Sequence, residues 1–194
     1  MYKLFFKRLF DLVFSLFLLV LLVPIFLFVP LLILSDMGRP IFFTQNRSGK
    51  NKKSFKIFKF RTMRYPSKGA TDESRITRLG DVLRRLSIDE LPQLINVIKG
   101  DMSLIGPRPL LPEYDEHYSN EQNKRFLIKP GVTGLAQVLG RNDLTWDEKF
   151  SLDIQYVENL SFSSDLKILI KTIYVVFGAK GFRKSGEDKK FSDV

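Results

Sequence analysis

The chain has 194 residues, enough for one modest domain with a core of its own. It has no cysteine, which excludes disulfides and thiolate metal sites and fits a reducing compartment. A net charge of +10 points to phosphate-bearing partners, whether nucleic acid, anionic lipid or nucleotide, without choosing among them.

Leu12 to Leu34 is a run of 23 residues with no charge and one serine. As a helix at ~1.5 Å per residue it measures roughly 35 Å, enough to cross a ~30 Å hydrocarbon core. The run is too long for a cleaved signal peptide, and no small-x-small site follows it. Pro24 sits near its middle and Pro30 follows. Pro24 has no N–H for the carbonyl of Val20, so a kink is expected there.

A single-pass anchor is one reading of this run, and charge weighs against it. Lys3, Lys7 and Arg8 precede the run. Ten Lys and Arg residues from Arg39 to Lys68 follow it, with no acid before Asp72. The positive-inside rule places both flanks in the cytoplasm, which a re-entrant helix broken at Pro24 satisfies and one straight span does not. Re-entry leaves a freed carbonyl in need of a partner.

"PIFFTQNRSG" and "KSFKIFKFRTM" read as two short strands around a Ser-Gly turn, with Phe42, Phe55, Ile57 and Phe58 as apolar positions. "TRLGDVLRRL" has helical spacing at Leu79, Val82, Leu83 and Leu86. "DELPQLINVIKGD" continues with Leu91, Leu94, Ile95 and Ile98 and stops at Gly100. "EYDEHYSNEQNKRFL" reads as a polar helix. "SLDIQYVENLSFSSDLKILIKTIYVVFG" holds two more helices, the second amphipathic with Lys167 and Lys171 on its wet side, suited to the core or to the bilayer interface. The reading is α+β: a mainly helical small domain with a short β-hairpin, a re-entrant membrane helix and interfacial amphipathic helices. The expected units are a membrane helix over 1–36, a cytosolic domain over 37–180 and a disordered tail over 181–194, rich in Lys, Ser, Gly and Asp.

The adjacent acids Asp89 and Glu90 admit two readings. Ser87 with Glu90 fits a capping box, or Asp89 is itself the N-cap, and acids are ordinary in a first helical turn. Alternatively the pair serves phosphate chemistry: an aspartate can attack phosphorus to give an acyl-phosphate, and a neighbouring carboxylate can hold Mg²⁺. An anionic substrate needs cations, and "GPRP" presents Arg108 between two prolines that fix its backbone. "KPGVTGLAQVLGR" supplies three glycines, for a turn or for close backbone approach to a ligand. His117, the only histidine, reads as solvated, and Trp146 as packing.

In order along the chain, "KRLFD", the proline-broken apolar run, "FTQNRSG", "FKIFKFRTM", "LRRLSIDELPQLINVIKGDMSLIGPRP", "KPGVTGLAQVLGR" and "WDEKFSLDIQYVENLSFSSDLKIL" resemble the bacterial sugar transferases. These are the monotopic polyprenyl-phosphate phosphoglycosyl transferases, and the length is similar to that of members made of the catalytic domain alone. The resemblance implies transfer of a sugar 1-phosphate from a UDP-sugar to polyprenyl phosphate, with release of UMP. It implies a site on the cytoplasmic face of the bacterial inner membrane, with Asp89 as nucleophile and Glu90 on Mg²⁺. Lys59, Arg84, Arg108 and Arg141 match basic positions that bind phosphate or nucleotide, and Gln137 lies in a matching motif. Where the family breaks its helix at Ser-Pro, this chain has Val23-Pro24. An N-acetylated hexosamine is the expected sugar; pathway and oligomeric state stay open.

Two rival readings differ in class. One is a membrane-anchored protein that binds anionic lipid or nucleic acid, which leaves "DELPQL" and "GPRP" without a task. The chain has no stacking motif of an RNA-binding sheet, so no nucleic-acid partner is expected. The other is a single-pass protein with its domain outside the cytoplasm, which the lysines after Arg39 oppose.

Overall fold

The computed structural model describes residues 2–66, 71–140 and 143–178. A single π-helical segment, Tyr2–Phe6, leads into α1 (Lys7–Leu21), and α2 (Val23–Met37) follows after one residue. Among the described residues no single helix is long and apolar enough to cross a membrane. Together α1 and α2 are, and they are bent by 61°.

The break falls at Leu22, two residues ahead of the proline expected to cause it. Pro24 lies in the first turn of α2, where a missing N–H leaves no helical bond unmade. The Val20 carbonyl is not stranded, because it accepts a backbone N–H at the cap of α1. No side-chain hydroxyl is needed at Val23. Pro30 is carried inside α2 without ending it.

The burial pattern of α1 is the reverse of a soluble helix. Lys7, Asp11 and Ser15, spaced four residues apart, are its buried residues, while Val13 (59% exposed) and Val20 (74%) face outward. A helix that turns its polar stripe inward and its apolar face outward suits a lipid surround.

Strands β1 (Phe42–Ser48) and β2 (Ser54–Phe60) form the expected antiparallel hairpin, with Phe42 opposite Phe60 and Ser48 opposite Ser54. Ile57 and Phe60 are buried, while Lys56 and Lys59 stay at least partly exposed. After α3 (Asp72–Arg75) comes α4 (Arg78–Arg85), capped by the Thr77 hydroxyl accepting from the Gly80 N–H at 3.0 Å. A Cβ on Gly80 would lie 2.0 Å from the Thr62 carbonyl, so glycine lets α4 rest directly on the chain leaving β2. Helix α5 (Gln93–Lys99) ends, as expected, at Gly100 with φ +92°.

A second, parallel pair joins β3 (Ser103–Ile105) to β4 (Gly131–Thr133). Three-residue strands are too short to show periodicity, and the sequence reading has no counterpart for them. The glycines of "KPGVTG" serve this junction: a Cβ on Gly131 would meet the Gly106 nitrogen at 2.1 Å. Then follow α6 (Leu135–Leu139), α7 (Trp146–Glu158) and α8 (Phe162–Gly178).

The polar helix expected over "EYDEHYSNEQNKRFL" is not formed. The segment holds two 3-10 turns, Pro112–Tyr114 and Gln122–Leu127. Its aromatic residues are gathered instead into a second core: Tyr114, Tyr118 and Phe126 are buried together with Leu110 and Phe150.

The main core collects Ile57, Leu94, Val97, Leu104, Tyr156 and Ile168 from β2, α5, β3, α7 and α8. Phe10, Phe14 and Leu18 of α1 pack against it. In α8 Asp165 and Ile168 turn inward, while Leu166, Ile173 and Phe177 are exposed beside the wet Lys167 and Lys171. The tail expected over 181–194 lies outside the described residues.

Candidate active site

Asp89 and Glu90 occupy a single 3-10 turn, Ile88–Glu90, between α4 and α5. Neither expected cap is formed. Ser87 takes a left-handed conformation (φ 55°, ψ 21°) with no side-chain capping bond, and α5 begins after Pro92 without a side-chain cap. Glu90 is engaged elsewhere: its Oε1 accepts from Lys59 Nζ at 2.7 Å and from Arg108 Nη2 at 3.1 Å. A full capping box is formed by Thr145 with Glu148, at the start of α7.

Three elements bring these groups together. Lys59 projects from β2, the acids from the turn before α5, and Arg108 from the loop after β3. Asn96 fixes the first two relative to each other. Fully buried in α5, it accepts from the Phe58 N–H at 3.1 Å and donates to the Lys56 carbonyl at 2.7 Å. Its side chain thereby extends the ladder of β2. The sequence reading passed over Asn96, and the only signal is a polar residue within an apolar helical run.

Arg108 is held from behind. Arg125, 4% exposed, donates to the Arg108 carbonyl at 2.6 Å and pairs with the buried Asp153 at 2.9 Å. The Tyr118, Phe126 and Phe150 rings lie 5.3 to 5.6 Å from its guanidinium. The sequence reading had no signal for this pair, which joins residues 28 apart. Arg84 donates to Thr62 Oγ1 at 2.8 Å, so the contact of Gly80 with Thr62 also sets Arg84.

These residues line a cleft of about 1080 Å³ that includes Lys59, Arg84, Asp89, Glu90, Arg108 and Gln137. The Gln137 Oε1 is buried and has no hydrogen-bond partner among the described residues. Arg47, which the sequence reading noted only as charge, lines the same cleft. Trp146 lines it too and stacks on Phe150 at 5.8 Å. His117 is exposed and away from it. Arg141 lies outside the described residues.

The two acids have opposite electrostatic fates. Burial, and then the charge of Glu90, push the Asp89 carboxyl up to about 6, against the opposing pull of Lys59, Arg84 and Arg108. Burial also disfavours the Glu90 charge, but Arg108 and Lys59 overcome it and hold that carboxyl well below the usual carboxylate range. Asp89 is 8% exposed and has no hydrogen-bond donor among the described residues. One acid is locked as an anion; the other is buried and unengaged.

Their oxygens form a hard donor set, one carboxylate beside another with the second Glu90 oxygen outside both hydrogen bonds. Among the described residues there is no cluster of three or more metal-ligating side chains. That combination fits a hard divalent ion completed by substrate phosphate and water, and does not fit an all-protein cage.

Over residues 2–179 the chain matches the family model described as bacterial sugar transferase. It is 49% identical over 183 residues to the sugar transferase EpsL of Bacillus subtilis, covering 92% of this chain and 91% of that one. It is 39% identical to the UDP-galactose-lipid carrier transferase of Erwinia amylovora, over 91% of this chain but only 41% of that protein. The UDP-glucose:undecaprenyl-phosphate glucose-1-phosphate transferase of Caulobacter vibrioides is also 39% identical, over 86% of this chain and 68% of its own.

Proposed function

The chain belongs to the bacterial sugar transferase family, and from that premise we propose that it moves a sugar 1-phosphate from a UDP-sugar to polyprenyl (undecaprenyl) phosphate. This would be the first membrane step of glycoconjugate biosynthesis, run at the cytoplasmic face of the inner membrane. The names of relatives that act on a lipid carrier and on undecaprenyl phosphate support the substrate classes. The inverted burial of α1 and its bend against α2 support a re-entrant, monotopic insertion. Cationic segments on both sides of the pair support a cytoplasmic location for both ends.

The observation that carries the mechanism is the buried, unengaged Asp89 beside a Glu90 locked in its ionised form. An Asp89 carboxylate oxygen attacks the β-phosphorus of the UDP-sugar, the bond from that phosphorus to the bridging oxygen breaks, and UMP leaves with that oxygen. An acyl-phosphate joins the sugar phosphate to Asp89. An oxygen of the polyprenyl phosphate then attacks the same phosphorus and frees the carboxylate. The phosphoanhydride broken in the first step is remade in the second, so substrate and product are near balance and catalysis consists mainly of positioning and of neutralising charge.

Lys59, Arg84 and Arg108 supply positive charge around the dyad and lower the repulsion between carboxylate and phosphate. Gln137 lines the same cleft, and its buried Oε1 has no hydrogen-bond partner among the described residues; Arg141 belongs to the same motif. Glu90, with Asp89 beside it, would hold Mg²⁺, which when bound neutralises phosphate charge.

The test uses UDP-sugars labelled with ³²P at the β-phosphate: UDP-galactose and UDP-glucose, after the relatives' names, and the UDP-N-acetylhexosamines. One of them should label Asp89 and release one UMP per label. Lipid product formed without label on Asp89 would overturn the covalent route, and no UMP release with any donor would overturn the activity.

A further inference from the structure

Arg47 is among the cations of the cleft that have no part in this scheme. Arg47 leaves β1 with its side chain partly buried. Its Nη2 donates to Gln45 Oε1 at 2.6 Å and its Nη1 to the Pro109 carbonyl at 3.5 Å. Its Nε is buried with no partner among the described residues, and no described carboxylate forms an ion pair with it. Burial, and then the Arg108 guanidinium, lower the Arg47 pKa to about 10, against opposite pulls from Glu90, Tyr114 and Glu113.

Such a placement is unfavourable for a purely structural arginine. Desolvating a guanidinium beside a second one costs free energy that an apolar side chain of similar reach would not incur. The nearby ion pair of Arg125 shows the structural alternative, since there the partner carboxylate is buried with it. Arg47 has the opposite character: oriented by Gln45, tied to the loop that carries Arg108, and lacking an anion. A phosphate between the two guanidinium groups would supply the counter-charge and acceptors for the idle Nε.

We propose that Arg47 is a phosphate-binding residue, gripping together with Arg108 a phosphate group of one substrate. This rests on the phosphoglycosyl transfer reading and adds a residue to it. Two sources share the chemistry, the diphosphate of the nucleotide sugar and the phosphomonoester of the lipid acceptor.

The experiment measures both half-reactions separately in Arg47→Gln and Arg47→Lys, with detergent- or nanodisc-held protein whose melting temperature is recorded alongside. Label transfer from the donor reads the first half-reaction, and its discharge by a short-chain polyprenyl phosphate reads the second. Arg47→Gln should weaken one of them about 10- to 100-fold at sub-saturating substrate, mostly through KM, and Arg47→Lys should recover part of the loss. Loss in the first arm assigns the nucleotide diphosphate; loss in the second assigns the lipid phosphate. Wild-type rates in both arms would overturn the proposal and leave Arg47 as a packing contact with Pro109. If the unsubstituted protein takes no label from any donor, the transferase reading fails on its own. Arg47 is then judged by calorimetric affinity for UMP and for the polyprenyl phosphate, where unchanged values for both in Arg47→Gln overturn it. Should Arg47→Gln lose its fold, Arg47→Lys carries the same comparison.

Discussion

Two of the ionic clusters among the described residues, one at the root of α1 and one at the Asp89–Glu90 turn, are built to opposite rules. At the root, Lys7 pairs with Asp165 at 2.8 Å, and the Tyr156 hydroxyl donates to the other oxygen of Asp165 at 2.5 Å. Asp11 accepts from the Ser103 hydroxyl and the Leu104 N–H, each at 3.0 Å. Arg8 donates to the carbonyls of Val97 and Ile98 at the end of α5. Charges here meet partners, and the result is a fixed angle between α1 and the domain. At the turn, Glu90 is satisfied twice, Asp89 is not, and the cations Lys59, Arg84, Arg108 and Arg47 outnumber the acids. A cluster that closes on itself holds the structure together, whereas one left with an idle carboxyl and surplus positive charge is suited to an anion.

Removing the idle acid is the sharpest way to break the comparison. Asp89→Asn should reduce covalent labelling and turnover by at least on the order of 10⁴-fold. Its melting temperature should hold or rise, because the neutral amide is spared the burial that disfavours the Asp89 charge. Near-normal labelling in the variant would remove Asp89 as nucleophile. At the root the expected result is reversed: Lys7→Met leaves Asp165 buried beside tyrosines only, at a cost of about 3–5 kcal/mol in denaturant unfolding. The labelling rate per folded molecule should persist, and adding Asp165→Asn should restore part of the lost stability. A collapse of labelling with unchanged stability would erase the distinction between the two clusters.

The smallest effect is a titration. In metal-free protein the Asp89 carboxyl, followed by ¹³C NMR, should have its midpoint near 6, because burial and the Glu90 charge both favour its protonated form. The pKa is raised on folding, so the folded state gains the proton: Asp89 favours the fold at low pH and loses that contribution as pH rises through about 6. Glu90→Gln removes a like charge and should move the midpoint down. A midpoint at the ordinary carboxylate value of ~3.9 would place Asp89 in solvent and sink the idle-acid description.

The comparison also explains which parts were legible in the sequence. Lys59, Asp89, Glu90 and Arg108 stood in short motifs whose neighbours, Pro107 and Pro109 above all, marked local rigidity, and the structure brings them to one cleft with Arg84 and Gln137. The supports did not show. Asn96 bonding back to β2, and Arg125 under three rings with Asp153, are meaningful only once distant segments touch. The same limit produced the wrong helix over 113–127, where local polarity outweighed three aromatic residues that the fold gathers. It also produced the capping box at Ser87, since a local pattern cannot reveal that Lys59 and Arg108 will claim the Glu90 carboxylate.

By itself the sequence determined what depends on composition and short-range geometry: the apolar pair of helices, the hairpin, the stop of α5 at Gly100, and the types of group available for phosphate chemistry. Tertiary structure decided where the helix breaks, which carboxylate is bound and which is left unengaged, and that Arg47 stands without an anion. The physical reason is range. Periodicity, capping and turn preferences act over a few residues, whereas burial and Coulomb interactions depend on distances in space that the chain sets only when it closes.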